Sequence, residues 1–331
     1  MADVLIVGAG VSGLAAAEVF LDQGWRVRMV DKARKAGGRC ATRRLQPAAD
    51  SAWFDTGAQY FTARDPSFQA WLRSWIKQRR VDQWHAQLGR GAPGIAVAVE
   101  DGQQRYAGVG GMNAWLTAWT QQLQAKGLEL FCQTKVTRIE RLAESVTVHC
   151  EDGRTWTAPQ VVVTAPAQQS RALLRPSPEL APWPSLGPCL AITVLARPPW
   201  AWDGLFSPHP DIAWMASNST KPGAIDTSDP VWTVHAGPEL STRACTDQEA
   251  AVAELEAIVA DVMQGPISTQ HVHLWRYATA PREVYAQGFW QDPANSGIFL
   301  AGDWLCGGRV EGAWLSGCAV AHACTKALVV A

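Results

Sequence analysis

A cluster of glycines close to the N-terminus limits what this chain can fold into more than any other feature. Residues 8–13 read Gly-Ala-Gly-Val-Ser-Gly, between the apolar run 4–7 and a segment with helical spacing that extends to Gly24. A second apolar run then ends on Asp31. Strand, glycine turn, helix and acid-terminated strand together form the complete dinucleotide-binding pattern, whereas the glycines alone are a weak signal. We therefore expect an α/β protein with a Rossmann-type domain.

Each residue of this glycine turn has a separate physical role. Gly8 allows the tight turn, Gly10 lets a pyrophosphate approach the backbone, and Gly13 lets the helix pack closely on the strand. Ser12 lies in the first helical turn, where free N–H groups and a partial positive charge favour a phosphate. These four residues are predicted to bind the cofactor.

The segment after the second strand favours FAD over NAD. Asp31 can accept hydrogen bonds from an adenosine ribose, and Lys32 is its neighbour. Gly37, Gly38 and Arg39 come next and resemble the G-G-R of FAD proteins in the two-dinucleotide-domain class. Two glycines permit a close approach of the backbone, and Arg39 can pair with a pyrophosphate. Asp31, Lys32, Gly38 and Arg39 therefore join the predicted cofactor-binding residues.

The charge balance and the cysteines exclude several other classes of protein. The 331 residues include 29 basic and 30 acidic side chains without a long run of either sign, which argues against nucleic acid or an anionic membrane as partner. The eight cysteines include no C-x-x-C pair, so no metal site is expected, and they fit a reducing compartment. No apolar run is long enough to cross a bilayer. We expect a soluble, cytoplasmic protein.

The remaining patterns predict a second domain built mainly of antiparallel strands. A stretch rich in proline and tryptophan begins near residue 171, and several strand-like segments and a helix at 247–263 follow it. An amphipathic helix is predicted at 68–85, and a hairpin is predicted with its turn at Asp101-Gly102. We expect an FAD-binding domain and a discontinuous substrate domain, formed by residues 1–61, 105–170 and 296–331 and by residues 62–104 and 171–295, respectively.

Seven motifs give the chain a resemblance to a known family. They are VLIVGAGVSGL, DKARKAGGR, DTGAQYFTARD, NSTKPG, WTVHA, LWRYA and AGDWLCGGRVEGAWLSG, and they extend over essentially the whole chain. The first two are shared by many flavoproteins, whereas GAQYFTARD and the C-terminal motif are narrower. The chain thereby resembles the superfamily of flavin amine oxidases and protoporphyrinogen oxidases, and within it the renalases, including their bacterial members.

The resemblance implies an oxidase that binds FAD without a covalent bond. Renalase-like enzymes take hydride from dihydronicotinamide dinucleotides reduced at the 2 or 6 position, release NAD(P)+ and, with O2, form hydrogen peroxide. The expected partners are therefore a small dinucleotide substrate and O2. Direct hydride transfer needs no acid or base, so no obligatory catalytic residue is predicted. Monoamine oxidases attach FAD through a cysteine upstream of a similar motif, whereas Cys306 lies inside the motif here.

Positions that match the family extend the set of predicted cofactor-binding residues. Gly57, Gln59 and Tyr60 lie in the motif that resembles the segment beside the flavin. Val136 lies where a strand backbone pairs with the adenine edge in this class.

The C-terminal motif is expected to complete the cofactor site. By resemblance, Asp303 reaches the ribityl or pyrophosphate part of FAD, and the glycines at 307–308 allow a turn. Val310, Glu311 and Gly312 begin a helix whose N–H groups would stabilise the negative charge of reduced flavin. Glu311 is equally well explained as a first-turn acid favoured by the helix dipole. Gly312 is expected to permit close approach of the cofactor.

The substrate is expected to contact four residues that match family positions, namely Tyr60, Asn218, His235 and Trp275. Each has a competing structural explanation. His235 alternates with apolar neighbours and fits a hydrogen-bonded core histidine equally well, and Asn218 fits a turn. Trp275 fits the wall of a cavity better than a chemical role.

Two other functions stay open at the level of sequence. The 17 tryptophans are compatible with an amine oxidase or desaturase that acts on an amine or a small apolar molecule. A protein that binds FAD without catalysis and presents a tryptophan-rich face to a partner is the alternative of another class.

Overall fold

The computed structural model describes residues 3–46, 51–92, 94–174, 183–282, 285–293 and 297–329. Its helices are α1 (Val11–Asp22), α2 (Pro66–Lys77), α3 (Met112–Ala125), α4 (Ala167–Leu173), α5 (Pro238–Arg243), α6 (Gln248–Val262) and α7 (Val310–Val329), with a 3₁₀ helix at Asp303–Leu305. Its strands are β1 (Val4–Val7), β2 (Val27–Val30), β3 (Thr42–Arg44), β4 (Trp53–Asp55), β5 (Val81–Gln83), β6 (Leu88–Arg90), β7 (Val97–Ala98), β8 (Tyr106–Gly108), β9 (Glu129–Phe131), β10 (Val136–Arg141), β11 (Val146–Cys150), β12 (Thr155–Ala158), β13 (Gln160–Val163), β14 (Gly187–Leu195), β15 (Gly204–Phe206), β16 (Ile212–Ser217), β17 (Val231–Ala236), β18 (Ser268–Thr279), β19 (Trp290–Gln291) and β20 (Ile298–Leu300).

These elements form two compact units. Unit 1 consists of Met1–Gly38, Leu116–Leu186 and Ala280–Ala331, and unit 2 consists of Arg39–Trp115 and Gly187–Thr279. Residues 39–61 and 105–115, which the sequence analysis assigns to the FAD-binding domain, pack within unit 2. The predicted boundary between residues 295 and 296 lies outside the described residues.

Unit 1 contains a six-stranded, mainly parallel sheet in the order β19-β20-β13-β1-β2-β9. β1 pairs in parallel with both β2 and β13, and β19 joins β20 in the antiparallel sense. Every residue of β1, β13 and β20 is buried, as is typical of central parallel strands. β10, β11 and β12 form a separate three-stranded sheet. The prediction of a Rossmann-type domain is confirmed.

The first and last helices of unit 1 pack closely because small residues line their contact. A Cβ atom on Gly317 would lie 2.2 Å from the carbonyl oxygen of Ser12 and 2.9 Å from the Cβ of Ala15. The Ser316 Oγ accepts a hydrogen bond from the Gly302 N–H at 2.8 Å. The Gly317 contact sets the close approach of α7 to α1, and the Ser316 hydrogen bond ties α7 to Gly302, shortly after β20.

Unit 2 is built on a seven-stranded sheet in the order β18-β14-β17-β16-β15-β6-β7. Its pairs are antiparallel except for β15 with β6. The two-stranded pairs β3–β4 and β5–β8 belong to the same unit. The prediction of a mainly antiparallel sheet in the second domain is confirmed.

The two faces of this seven-stranded sheet have different chemistry. On one face, buried residues of β14 such as Ile192 and Val194 join Leu255 and Val259 of α6 in the hydrophobic core of unit 2. Because α6 covers this face, the apolar side chains of the central strands are removed from water.

The opposite face, called the polar face below, carries a row of ring-bearing side chains. Ala191 of β14 pairs with His273 of β18 on one side and with His235 of β17 on the other, and His235 pairs in turn with Trp214 of β16. Cross-strand partners project from the same face of a sheet. His273, His235 and Trp214 therefore share the polar face.

The helix predicted at 247–263 is confirmed by α6, whereas the one predicted at 68–85 is wrong in its second half. α2 ends at Lys77, and Arg79 then adopts a left-handed backbone with φ of 54°. Val81 is fully buried in β5, which pairs with β8. Strand pairing thus overrides the helical spacing of the later residues.

The hairpin predicted around Asp101-Gly102 is also wrong. β7 pairs with β6, and β8 pairs with β5. The Asp101 carboxylate accepts a hydrogen bond from the Gln103 N–H and pairs with Arg105 at 2.6 Å. The segment is therefore a local turn between strands that have other partners. Across the described ranges, no helix is long and apolar enough to cross a membrane.

Candidate cofactor and substrate sites

The glycine turn of unit 1 contains glycines that the protein itself requires and one that it does not. Gly8 has φ of +112°, and a Cβ on Gly13 would lie 2.1 Å from the carbonyl oxygen of Gly8. These two glycines are fixed by the turn and by the packing of α1 on it. A Cβ on Gly10 would have no heavy atom within 4 Å. Open space beside Gly10 fits a ligand that approaches the backbone closely.

The first turn of α1 contains a hydrogen-bonding group that the described residues do not use. Within the described part of the chain, the buried Ser12 Oγ has no hydrogen-bond partner. Gly10, the N-cap of α1, supplies no side-chain cap. A buried hydroxyl without a partner is costly, and helix N–H groups attract anions. The residues of this turn therefore fit the pyrophosphate of a dinucleotide such as FAD.

Asp31 is held in place by the glycine turn. Its Oδ2 accepts a hydrogen bond from the Ala9 N–H at 2.6 Å, and its Oδ1 accepts one from the Ala33 N–H at 2.7 Å. A carboxylate oxygen can accept two hydrogen bonds, so each retains capacity for a ribose hydroxyl. Lys32 beside it is exposed, and Val136 is half-buried at the start of β10.

The G-G-R segment returns to the glycine turn. The Gly37 N–H donates to the Ala9 carbonyl at 2.8 Å, and a Cβ on Gly38 would lie 3.3 Å from the Gly10 Cα. In unit 2, the Arg39 Nη1 donates to the carbonyls of Tyr277 and Ala278 at 3.4 and 3.2 Å. The Arg39 guanidinium is thus anchored on β18.

The C-terminal motif forms a turn ahead of α7. The Asp303 carbonyl accepts hydrogen bonds from the Cys306 and Gly308 N–H groups, both at 2.8 Å. Asp303 is buried, Glu311 is buried in the first turn of α7, and Val310 is half-buried. The predicted turn is confirmed, since the glycines at 307–308 have φ of 78° and 75°.

The structure explains the glycine at position 312 by packing within the protein and not by the expected approach of the cofactor. A Cβ at this position would lie 2.1 Å from the Cys306 carbonyl oxygen and 3.0 Å from its carbon. Glycine is therefore required by the contact between α7 and its own preceding turn. Close approach of a cofactor is not needed to explain Gly312.

A buried ion pair lies at the centre of unit 2. The Lys221 Nζ donates to the Asp55 Oδ2 at 2.9 Å, and both side chains are fully buried. The Asp55 Oδ1 accepts hydrogen bonds from the Thr42 Oγ1 at 2.6 Å and the Met112 N–H at 2.8 Å. Burial lowers the pKa of Lys221, and the Asp55 charge opposes that shift. An ion pair with this many hydrogen bonds fixes the end of β4.

Gln59 and Asn218 complete this network. Lys221 also donates to the Gln59 Oε1 at 2.8 Å and the Asn218 Oδ1 at 2.9 Å. The Gln59 Nε2 donates to the carbonyls of Asp55 and Gly57 at 2.6 and 3.0 Å, and the Asn218 Nδ2 donates to the Thr233 Oγ1 at 2.9 Å. The side chains of Gln59 and Asn218 are thus engaged in holding the segment that leads to Tyr60.

The carbonyl of Thr56 brings together two of the predicted substrate residues. The Trp275 Nε1 donates to it at 2.9 Å, and the His235 Nε2 lies 3.4 Å from it. Burial lowers the pKa of His235 to about 4, so the ring is neutral at neutral pH. Gly57 follows, and a Cβ there would lie 1.9 Å from the Arg39 carbonyl oxygen. Segment 56–57 is therefore packed tightly between β17, β18 and Arg39.

Tyr60 lies in a group of aromatic rings, called the aromatic cluster below, that consists of Tyr60, Trp84, Phe206 and Trp214. The Tyr60 ring centroid is 5.9 Å from those of both Trp84 and Trp214, and Phe206 is 4.3 Å from Trp214. Trp84 and Trp214 are buried, whereas Tyr60 is half-buried. Because Trp214 pairs with His235, the cluster continues the polar face.

Three cations lie over the rings of the aromatic cluster. The Arg105 guanidinium is 5.5 Å from the Tyr60 ring centroid, the Lys221 Nζ is 5.9 Å from that of Trp84, and the Arg90 guanidinium is 4.7 Å from that of Phe206. Asp101 pairs with Arg105 and Asp55 pairs with Lys221. Within the described part of unit 2, Arg90 has no carboxylate partner. Three of the four rings of the cluster thus each have a cation over them.

Lys221 and Arg105 are not among the site residues predicted from the sequence, although both lie over rings of the aromatic cluster. Lys221 and Asp55 are 166 positions apart in the chain, so no local pattern joins them. The available signal is a lysine between Thr220 and Pro222 in a motif already singled out. Arg105 is absent from every motif, and only the structure places it over Tyr60.

The fold and the glycine turn define a dinucleotide-binding α/β protein with a second, mainly antiparallel unit. The chain belongs to the family of flavin-containing amine oxidoreductases, whose family model matches residues 75–325. The model of the NAD(P)-binding Rossmann-like domain matches residues 6–75. The protein is therefore an FAD-dependent oxidoreductase of the amine oxidase family.

Solved structures share this fold at low sequence identity. A candidate protoporphyrinogen oxidase from Exiguobacterium sp. 255-15 has a TM-score of 0.74 and 12% identity and covers 97% of this chain and 98% of its own. An oxidoreductase from Methanosarcina mazei has a TM-score of 0.72 and 13% identity and covers 96% and 99%. A putrescine oxidase bound to putrescine has a TM-score of 0.69 and 13% identity and covers 98% and 99%.

One curated protein also shows similarity over a limited part of the chain. The 3-hydroxybenzoate 6-hydroxylase of Klebsiella oxytoca is 28% identical over 162 residues. That match covers 46% of this chain and 37% of the hydroxylase, so the chain spans little more than a third of that relative's length.

Proposed function

We propose that this protein oxidises dihydronicotinamide dinucleotides reduced at the 2 or 6 position, as renalase-like enzymes do. Each substrate gives up a hydride and leaves as NAD(P)+. FAD supplies the chemistry, since it accepts the hydride and its two electrons then pass to O2, which yields hydrogen peroxide.

The cations over the aromatic cluster are the observation that carries this proposal. An alkylamine is a cation in neutral solution, and a site that takes up this cation benefits from free aromatic faces and nearby carboxylates. Here Arg105, Lys221 and Arg90 already lie over those faces. The two nearby carboxylates, Asp101 and Asp55, are paired with Arg105 and Lys221. Such surroundings favour a neutral ring that carries phosphates over a cationic amine.

The residues proposed to bind FAD follow from the motifs and from the fit of the glycine turn. Ser12 and the first turn of α1 would hold the pyrophosphate, and Asp31 would hold the ribose. The full proposed set is Gly8, Gly10, Ser12, Gly13, Asp31, Lys32, Gly38, Arg39, Gly57, Gln59, Tyr60, Val136, Asp303, Val310, Glu311 and Gly312.

The proposed substrate residues position the substrate and supply no proton. His235 is neutral because burial lowers its pKa to about 4, and Trp275 is fixed by its hydrogen bond to Thr56. Tyr60 and Trp275 would contact the nicotinamide ring. Asn218, which is 1% exposed, would act by holding Lys221 and Asp55.

We propose that FAD is held without a covalent bond. Burial and the nearby Asp303 charge raise the pKa of Cys306 to about 11, so the thiol stays protonated at neutral pH. Its Sγ lies 3.6 Å from the Gly288 carbonyl. A protonated, hydrogen-bonded thiol is a poor nucleophile for attachment to a flavin. After acid precipitation the flavin should remain in solution, and a yellow pellet would contradict the proposal.

Anaerobic reduction of the bound flavin tests the proposed substrate class. The FAD-loaded protein is mixed separately with 2-, 4- and 6-dihydro-NAD(P), with putrescine and with an aromatic amine, and the flavin absorbance is followed. We expect rapid bleaching by the 2- or 6-isomer and slow or no bleaching by the 4-isomer. Bleaching by an amine alone would make the protein an amine oxidase, and no bleaching by any compound would favour a non-catalytic FAD-binding protein.

A further inference from the structure

A row of imidazoles continues the polar face of unit 2 beyond Trp275. His271, His273 and Trp275 alternate along β18, and alternate residues of a strand project from one face. The His273 ring centroid lies 4.2 Å from that of Trp275 with the rings edge-on, and the His271 ring is stacked 6.3 Å from His273. Both histidines are half-buried. The row thus extends along β18 from Trp275, a predicted substrate residue, to His271.

Arg43 lies at the far end of this row. It is the cross-strand partner of Phe54 in the β3–β4 pair, so the two side chains share a face. The Phe54 ring centroid lies 5.7 Å from that of His271. After burial, the Arg43 charge is the next cause that lowers the pKa of His271, to about 4, and of His273. A permanent cation thus stands beside two neutral imidazoles.

Two polar groups of this region, the His271 ring and the Arg43 guanidinium, have capacity for further contacts in the part of unit 2 that the structure describes. The His271 Nε2 is shielded from solvent and has no hydrogen-bond partner there. Arg43 has no carboxylate partner among the same residues. An arginine fork with neighbouring imidazole N–H groups matches the oxygen atoms of a phosphate. A cation, in contrast, would be repelled by Arg43.

We propose that Arg43, His271 and His273 bind a phosphate group of the substrate while Trp275 contacts its nicotinamide ring. The inference rests on the proposed function, because it is the dinucleotide class that carries phosphates. Residues 271 to 275 span about 13 Å at the rise of an extended strand. That length accommodates a ring at one end of the row, a ribose between, and a phosphate at the other end.

Binding of inorganic pyrophosphate tests the site without any turnover. The FAD-loaded protein is titrated calorimetrically with pyrophosphate, and flavin fluorescence is followed in parallel to detect any release of FAD. We expect binding that weakens at least tenfold in Arg43→Gln, because one charge-assisted pair is lost. The pyrophosphate affinity of Arg43→Lys should lie between those of wild type and Arg43→Gln, since lysine keeps the charge but not the forked guanidinium.

Arg44→Gln is the matched control for this titration. Arg44 is the next residue of β3, is exposed, and donates to the Ser51 carbonyl at 3.0 Å. Because alternate residues of a strand face opposite sides, Arg44 lies on the other face from Arg43. Its substitution should leave the affinity for pyrophosphate unchanged. Equal binding by wild type and Arg43→Gln, or release of FAD by pyrophosphate, would overturn the proposal.

A second comparison links the phosphate site to the substrate. Wild type and Arg43→Gln are assayed with the 6-dihydro forms of nicotinamide riboside, which has no phosphate, and nicotinamide mononucleotide. We expect the phosphate to lower KM about tenfold in wild type only. A KM advantage that persists in Arg43→Gln would overturn the proposal. If 6-dihydro-NAD(P) does not reduce the flavin but pyrophosphate binding depends on Arg43, the proposed function fails and the phosphate site stands.

Discussion

At the scale of single residues, the glycine turn separates two reasons for glycine. Gly8 and Gly13 are required by the backbone and by the packing of α1, and their reason is visible inside the protein. Gly10 has an ordinary extended backbone with φ of −80° and open space where a Cβ would lie. Nothing in the chain requires glycine at this position, so we attribute it to the close approach of a ligand.

Substituting these glycines one at a time separates folding from cofactor binding. In Gly10→Ala we expect the free energy of unfolding of the FAD-free protein to change by no more than about 1 kcal/mol, with FAD affinity at least tenfold lower. In Gly13→Ala we expect a loss of about 1–3 kcal/mol, because the new Cβ overpacks the turn. Urea unfolding and flavin fluorescence measure the two effects. Unchanged FAD affinity in Gly10→Ala would contradict the assigned pyrophosphate position.

The Lys221–Asp55 pair makes a second prediction at this scale. Lys221→Met leaves the buried Asp55 carboxylate unpaired, which should lower the free energy of unfolding by about 3–5 kcal/mol. The double variant Lys221→Met/Asp55→Asn should recover part of that loss. Lys135→Met is the control, because Lys135 forms an exposed pair with Glu151 at 2.6 Å and should have no measurable effect. A change in Lys221→Met as small as in the control would contradict this account.

The buried histidine gives a prediction for pH. The pKa of His235 is lowered to about 4 in the folded protein from an ordinary value of 6.5. Between these values the unfolded chain binds the extra proton, so stability falls as the pH is lowered from 6.5 to 4. His235→Gln removes this contribution. The difference in unfolding free energy between wild type and variant should therefore change with pH in that window and be constant above it; a difference independent of pH would contradict the burial of a neutral His235.

At the scale of elements, local sequence patterns predict best those helices and strands whose structure depends mainly on residues nearby in the chain. The β1–turn–α1–β2 unit and α6, with its Asp247 N-cap, appear where the sequence places them. The end of α2 and the partners of β7 and β8 depend instead on strands distant in the chain. Helical spacing and turn residues carry no information about such partners.

The contact between α1 and α7 gives a prediction for an element far from the glycine turn in sequence. Gly317→Ala improves helix propensity, but its Cβ would collide with the Ser12 carbonyl at 2.2 Å. We expect α7 to be displaced and the glycine turn to shift. FAD should then dissociate more readily on dilution. His322→Ala, at an exposed position of the same helix, is the control. Equal flavin retention in both variants would show that the contact does not support the turn.

At the scale of the whole molecule, the segments proposed to bind the cofactor could be named from the sequence, whereas the arrangement of the polar face could not. The glycine turn is one contiguous segment with a strict spacing, so its residues could be named from sequence. The polar face draws on β16, β17 and β18, and the segment that packs against it follows β4. Trp275 and Thr56, which hydrogen-bond there, are 219 residues apart in the chain. Its cations and rings come from loops and from strands that are distant in the chain, so no local sequence pattern places them together. For that reason the charge of the substrate could be argued only from the structure.

The products formed in air test the proposed oxidation of dihydronicotinamide dinucleotides most directly. The FAD-loaded protein is incubated with 6-dihydro-NAD, and NAD+, hydrogen peroxide and O2 consumption are quantified together. We predict one NAD+ and one hydrogen peroxide for each O2 consumed, with no hydrogen peroxide from putrescine. Hydrogen peroxide formed from putrescine, without NAD+ formation from the 2- or 6-dihydro isomers, would contradict it.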